Sequence, residues 1–564
     1  MHKTLTFFVL FTFAFSTALS FSGNGSGSEE DPYQITNVYE LQEMNDDLSA
    51  HYILMNDIDA SETREWNVGD HDDDPETPDS ALGFEPVGEN KDEYFSGSFS
   101  GNYFSIDSLF INRPEKKSTG LFGYLDRGAR IERLSVNNSF IVGASEVGIV
   151  VGAINCNRPD LKIIIEECSC SGKVTGLNYV GGFCGNILAI FSDIVIRNCN
   201  TQAEVSGNEK VGGFSGQIQS GDGSTLIEDC YSKGNIYGRN SNLGGFCGAN
   251  LSAGSGKAVI QRCSAVGDVM GNRHHGSHIG GFCGDNVSFF GASEISYCFS
   301  KGYIEGDEIV GGFCGANSGD DGNVIIENCF CEAITNGRAY SIGGFCGSNF
   351  ASDQGASARI SNCFCLGSTA GNSKYMGGVT GTNNTNEMDA YVEIENCYST
   401  VIVEGEKEVG GFCALQSGNS NIKQCFWDVQ TSEIDSSDGG EVKTTAEMMM
   451  QSTFVDWDFD NVWCIVEGKT YPQLQYFVDC DTLVSVPEIE NKEEIEIYPN
   501  PAQDQITVSG NSIMGENLMI YNLLGIKLWE GSATENKTII DVSFLPKGIY
   551  LLRVSNKVMK FIKN

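Results

Sequence analysis

Residues 309–317 read IVGGFCGAN, and near copies surround them: YVGGFCGNI at 179–187, NLGGFCGAN at 242–250, HIGGFCGDN at 278–286 and SIGGFCGSN at 341–349. With its Phe as marker, the phrase falls at Phe183, Phe214, Phe246, Phe282, Phe313, Phe345, Val379 and Phe412, in steps of 31 to 36 residues. Degenerate copies precede it at Leu121 and Val150. A second phrase keeps the same period, as IRNCNTQAEVSG from Ile196, IEDCYSKGNIYG from Ile227 and ISYCFSKGYIEG from Ile295. A fixed period near thirty residues marks a solenoid, in which each unit buries its apolar face only against its neighbours. The phrases alternate and are rich in Ile, Val, Phe and Tyr, with Gly and Asn as punctuation and no 3.6-residue apolar stripe. The expected fold is therefore all-β. It is a parallel β-solenoid of about ten coils with at least two short strands per coil, on the order of 50 Å long at ~4.8 Å per coil.

Each residue of the phrase then has an expected structural role. Gly181, Gly182, Phe183, Cys184 and Gly185 stand for one coil, and Gly311, Gly312, Phe313, Cys314 and Gly315 for another. The paired glycines are expected at coil corners, where positive φ is needed. The Asn that follows is expected to stack coil on coil as a side-chain ladder.

The 21 cysteines sharpen this reading. The slot held by Cys184 and Cys314 is filled by Phe122, Val151, Ser215 and Thr380 in other coils, and no zinc site replaces its ligands with Phe or Val. In the second phrase, Ser215 leaves Cys230 without an obligate mate, and Thr380 leaves Cys397 without one. Both columns read best as small buried positions, where Cys acts as a small hydrophobe. Bridges between adjacent coils remain the alternative, as with Cys331 and Cys365, because the coil spacing lies within the Cα range of a disulfide. Outside the repeat, Cys464 with Cys480 is the best candidate for a bridge. An odd total leaves at least one thiol free or paired between molecules.

The 564 residues carry 35 Lys and Arg against 75 Asp and Glu, a net charge of −40. That argues against nucleic acid and anionic membrane as partners, since both need basic patches. Residues 1–20 have a basic start, a short apolar run and a small-residue end, which predicts a signal peptide. No later stretch is long and apolar enough to predict a transmembrane helix in the mature chain. The predicted organisation is a signal peptide (1–20), leading coils (21–117), the repeat solenoid (118–425), its closing cap (426–480), an acidic linker (481–494) and a small C-terminal β-sandwich (495–564).

The phrases GLFG, GGFCG and GGVTG resemble the GLUG motif, a glycine-framed repeat of bacterial surface proteins, and residues 30–480 share that family's organisation. The resemblance implies architecture rather than a particular chemistry. The C-terminus closely resembles the type A C-terminal sorting domain of the type IX secretion system. The matching residues are Tyr498, Pro499, Asn500 and Pro501, then Leu524 and Gly525, Gly548 to Tyr550, and the basic tail from Lys560 to Lys563. This resemblance implies a Gram-negative bacterium of the Bacteroidetes group. It further implies partners in the secretion machinery and in the enzymes that attach cargo to the outer cell surface.

No catalytic constellation is legible. His274, His275 and His278 cluster in the longest repeat step and read as an inserted loop rather than a metal site. The acidic loops at 69–79 and 318–323 leave calcium as the one cofactor open, without the spacing of a defined site. GSGKAV at Gly254 lacks the P-loop pattern, and GGFSGQ around Ser215 is a repeat variant, not a nucleophile elbow. Trp427, Trp457 and Trp463 read as core of the cap. The expected function is a surface adhesin or binding stalk for glycans or extracellular proteins. The alternative is a polysaccharide-active lyase or glycoside hydrolase, which would need acidic and basic groups converging on one solenoid face.

Overall fold

The structure, a computed structural model, describes residues 21–69, 80–159, 161–272, 274–353, 355–480, 495–510, 513–522, 527–554 and 557–563. The expected signal peptide, nearly all of the acidic loop at 69–79, the linker, and Leu524 with Gly525 lie outside the described residues. The chain divides into two units, Met1–Val478 and Asp479–Asn564.

The first unit is a parallel β-solenoid, with about ten coils between Ser98 and Trp427. Each coil contributes to four parallel sheets, above the expected minimum of two strands. In one coil, Ile194–Arg197 enters the first sheet, Asn200–Gly207 the second, Glu209–Gly212 the third and Ser215–Ser220 the fourth. The next coil stacks in register on it, pairing Ile196 with Ile227, Val205 with Ile236, Val211 with Leu243 and Ser215 with Cys247. Strand alternation sends Thr201, Ala203 and Val205 inward and Gln202 and Glu204 outward. The corner between the first and second sheets is one left-handed residue, Asn198, Asp229, Arg262, Tyr297, Asn328, Asn362 or Asn396, with φ of 52° to 54°. Asn recurs there because it tolerates this conformation better than most L residues.

The glycines of GGFCG work differently from the expectation. In both coils singled out, none of the three has a positive φ in the left-handed range. They are required by close approach. A Cβ on Gly311 would lie 1.9 Å from the Cys314 carbonyl oxygen, and one on Gly312 would lie 2.1 Å from the Gly344 carbonyl oxygen. A Cβ on Gly315 would lie 2.5 Å from both the Gly284 carbonyl oxygen and the Ile279 nitrogen. Third and fourth sheets meet backbone to backbone at this fold, in coil after coil.

The remaining letters of the phrase form interior columns. The rings of Phe183, Phe214, Phe246, Phe282, Phe313 and Phe345 stack with centroids 4.8–5.0 Å apart and planes within 3°. Asn250, Asn286, Asn317, Asn349 and Asn383 form the expected ladder. Asn250, Asn286, Asn317 and Asn349 each donate the side-chain amide to the next Asn carbonyl at 2.8–2.9 Å, in the buried interior. Before Asn250 the same slot holds Ile154, Ile187 and Ile218.

Nineteen cysteines are free and buried, while Cys464 and Cys480, the expected bridge, are disulfide-bonded. In the second-phrase column, each Cys closes its left-handed corner. Cys199 donates its thiol to the Arg197 carbonyl at 3.2 Å, and Cys263 accepts the Cys230 backbone N–H at 3.4 Å. In the other column the Cys247 thiol donates to the Cys283 sulfur at 3.5 Å, with no disulfide between them. Burial removes the solvation a thiolate needs, pushing Cys170 and Cys413 up to about 12 and Cys168 well above its usual value. Thiol reagents attack the thiolate. All nineteen lie buried out of a reagent's reach, so the native protein is expected to resist a thiol-alkylating reagent at pH 8, and the unfolded protein to take up nineteen equivalents, counted by mass spectrometry.

The closing cap spreads over the outer face of the second sheet. There Phe299, Phe330, Phe364 and Tyr398 stack 5.0–5.2 Å apart, and Phe477, Trp457 and Trp463 pack on them. Trp457 and Trp463 are buried in this second core, and Trp427 in the main one. Its short helix Thr445–Met448 starts with a capping box between Thr444 and Glu447.

The second unit packs two antiparallel sheets on one core that includes Ile506, Leu518, Leu552 and Phe561. One sheet holds Glu496–Tyr498, Gln505–Ser509 and Lys537–Asp541. The other holds Asn517–Asn522, Lys527–Ser532, Gly548–Val554 and Lys557–Lys563.

Candidate functional site

Just before the glycine pair, the third sheet carries a left-handed residue in successive coils: Glu146, Tyr179, Lys210, Asn242 and His278, with φ of 53° to 62°. Such a residue breaks the strict alternation of the strand. Several of these side chains meet a column of the fourth sheet, Asn186, Gln217, Ala249 and Asp285, which lie in register. Glu146 accepts hydrogen bonds from Ser118 Oγ at 2.6 Å and Asn186 Nδ2 at 3.3 Å. Lys210 Nζ donates to Gln217 Oε1 at 2.5 Å and lies 5.2 Å over the Tyr179 ring. Asp285 Oδ2 accepts from Asn242 Nδ2 at 3.3 Å and lies 3.9 Å from His278 Nδ1. The other carboxylate oxygen of Asp285 is buried without a hydrogen-bond partner.

Burial pushes the Asp285 carboxyl up, against the opposing pull of His278. Burial likewise pushes the Lys210 ammonium down, against Glu209 and Asp285. Burial thus drives an acid toward its protonated form and a base toward its neutral one along the same seam. The folded chain holds the Asp285 proton more tightly than the unfolded chain, so this group's contribution falls as pH rises past the ordinary value of 3.8. Asp285→Asn is expected to raise the melting temperature at pH 7 and to change it little at pH 3.5. Calorimetry at the two pH values checks it.

The histidines do not converge. His274 and His275 are exposed in their loop, while His278 faces Asp285. Among the described residues, no group of three or more His, Cys, Asp or Glu is placed to hold a metal ion. Lys210, Asp285 and Glu146 were not legible as a set in the sequence, because nothing there marks the left-handed bulge that gathers them.

In the second unit, the separated motif pieces come together. Asn500 Oδ1 accepts the Ile562 backbone N–H at 2.9 Å, and Asn500 Nδ2 donates to the Lys560 carbonyl at 3.2 Å. This ties the loop of Pro499 and Pro501 to the C-terminal strand. Gly548 pairs with Lys563 across the sheet. Tyr550 stacks on Phe561 at 5.6 Å and donates its hydroxyl to the Pro546 carbonyl at 2.8 Å. Tyr498, Asn500, Tyr550, Lys560 and Lys563 all lie on this one small sandwich.

Residues 496–564 match the family described as the secretion system C-terminal sorting domain. Part of the chain is 35% identical over 176 residues to Halomucin of Haloquadratum walsbyi, covering 30% of this chain and 2% of that protein. Another similarity, 30% identical over 136 residues, is to a protein of Evansella cellulosilytica named "Putative Gly-rich membrane protein", covering 24% of this chain and 14% of that one. The chain thus spans only a small part of the length of either relative. A crystal structure titled as "a putative immunoglobulin A1 protease" from Bacteroides ovatus superposes with a TM-score of 0.26 and 16% identity, over 80% of this chain and 94% of that one. Among the described residues, no helix is long and apolar enough to cross a membrane. The sorting domain makes this a β-solenoid protein exported by the type IX secretion machinery to the cell surface or the medium.

Proposed function

We propose that the solenoid is the cargo of this sorting domain and serves as a non-catalytic adhesin or binding module. In this reading, the chain is a GLUG-type surface protein of a Gram-negative bacterium of the Bacteroidetes group. A signal peptide at 1–20 takes it across the inner membrane. Tyr498 to Pro501, Gly525, Gly548, Tyr550, Lys560 and Lys563 form the sorting signal, and attachment enzymes fix the cargo to the outer surface. The observation that carries the reading is the join of an export domain to a stack of in-register coils. Such a stack repeats shallow, solvent-facing strips that suit extended partners such as glycans or extracellular proteins. The test presents the full-length protein to arrayed glycans and matrix proteins, with and without calcium, and assays the glycan spots for cleavage. Saturable binding with intact spots supports the adhesin. Release of reducing ends overturns it.

The seam of Glu146, Lys210 and Asp285 favours a second reading, a polysaccharide lyase or hydrolase working on the solenoid flank. If glycan cleavage is found, Asp285→Asn and Lys210→Met should abolish it while leaving the fold intact.

A further inference from the structure

The N-terminal coils hold a cleft of about 630 Å³ that no motif announces. One wall is the helix Val38–Gln42 with the turn Glu43–Asp46 that follows it. The helix is fixed at its start by Asn37, whose side chain accepts from the Tyr39 and Glu40 backbone N–H groups. The other wall is formed by Trp66, Asn67 and Glu85, the last on a segment clamped to the first wall by side-chain amides. Gln42 exchanges two hydrogen bonds of 2.9 Å with the Glu85 backbone, and Asn45 Oδ1 accepts the Gly88 N–H at 3.0 Å.

Two aromatic rings line the space. Tyr39 and Trp66 lie 5.2 Å apart with their planes tilted by 33°. Trp66 is backed by the buried Phe84 at 6.4 Å, and the Tyr39 hydroxyl is held by Glu62 at 2.8 Å. Yet Tyr39 is 57% exposed, so a pinned aromatic surface stands open to solvent. This contrasts with Trp427, Trp457 and Trp463, which are buried. Around the rings stand three carboxylates, Glu43, Asp46 and Glu85. Glu43 commits one oxygen to the Ser22 N–H at 2.7 Å.

A ligand suited to these walls needs an apolar face for the rings and many hydrogen-bond donors for the carboxylates. A pyranose offers both, with its axial C–H groups on one face and hydroxyls around its edge. The volume lies in the range of small-molecule sites. It is roomier than a point cation needs, and two tilted rings do not enclose a cation on several sides as an aromatic cage does. The acidic rim and a net charge of −40 oppose uronates and other anionic sugars.

We propose that this cleft binds neutral oligosaccharides, with Tyr39 and Trp66 as the stacking platform and Glu43, Asp46 and Glu85 as hydroxyl acceptors. The proposal rests on the reading of the solenoid as a binding module and supplies that reading with a site and a ligand class.

The test titrates the full-length protein with neutral gluco-, galacto- and manno-tetrasaccharides, with oligogalacturonate and with choline, following tryptophan fluorescence and heat. At least one neutral tetrasaccharide is expected to bind saturably, and the two charged probes are not. Tyr39→Ala is expected to weaken binding about tenfold with an unchanged melting curve, since the side chain is mostly exposed. Trp66→Ala is expected to remove both the binding and its fluorescence signal. Should Trp66→Ala fail to fold, Tyr39→Ala decides alone. Binding kept within about twofold in Tyr39→Ala overturns the site. So does binding of choline or oligogalacturonate in place of neutral sugars. If neutral sugars fail while arrayed matrix proteins bind, the site falls and the adhesin reading stands. If the glycans are cleaved, the adhesin reading itself falls.

Discussion

Gly312→Ala is expected to destabilise the solenoid by at least about 3 kcal/mol and to split its unfolding into two transitions. The new Cβ would meet the Gly344 carbonyl oxygen at 2.1 Å, with Ala333 Cβ at 3.0 Å and Cys331 Sγ at 3.1 Å behind it. The obstructing atom is backbone, so no rotamer relieves it. Relief requires adjacent coils to separate, which strains the bonds from Gly312 N to Gly343 O at 3.2 Å and from Phe313 N to Phe345 O at 2.8 Å. Each coil is held chiefly by its neighbours, so a weakened interface lets the coils on either side melt separately. Gly355→Ala is the control. That glycine has φ of +84° but nothing within 4 Å of the added carbon, so only the left-handed cost of about 1 kcal/mol applies. Denaturant titration followed by circular dichroism distinguishes the two. A single, unshifted transition for Gly312→Ala would show that the coils are less tightly coupled than this packing requires.

Asn317→Val is expected to cost about 2–5 kcal/mol, which denaturant titration also measures. Asn317 accepts from Asn286 Nδ2 and donates to Asn349 Oδ1, both at 2.8 Å, and is wholly buried. Valine fills a similar volume but leaves the Asn349 oxygen bare. Asn286 Nδ2 keeps only a 3.4 Å contact to the Ser293 carbonyl. The asymmetry between one removed rung and a removed ladder gives the sharper test. Changing Asn250, Asn286, Asn317, Asn349 and Asn383 together to Val strands no side-chain partner within the ladder and should recover much of the loss. Equal losses per rung would mean that the amides act through packing rather than through each other.

The sequence displayed the coil because repetition prints every interior column as a recurring letter. Phe313 and Asn317 recur at coil spacing, so their stacking was readable before any coordinate. The cysteine columns were readable as small stacked positions, because Ser215 and Thr380 break any fixed pairing, while a bridge between Cys331 and Cys365 stayed open until the structure showed both free. The reason for the glycines was not. Positive φ and close approach leave the same letter, and only the distance from Gly312 to Gly344 separates them. The seam was illegible for a different reason. Lys210 and Asp285 lie two coils apart, and the backbone bulges at Lys210 and His278 that gather them follow no rule of alternation. The N-terminal cleft is likewise assembled from three separated stretches of chain, with Tyr39, Trp66 and Glu85 on different segments.

The change of the interior slot from Ile154, Ile187 and Ile218 to Asn250 and its successors has a consequence for adding or removing coils. Within either run, whole coils are interchangeable parts. Duplicating or deleting one joins like to like and alters the length by one ~4.8 Å step. Across the boundary they are not, because an isoleucine coil placed among the amides would strand hydrogen-bonding groups on both sides. Adding or removing a coil inside either run is therefore tolerated far better than across the junction between Ile218 and Asn250.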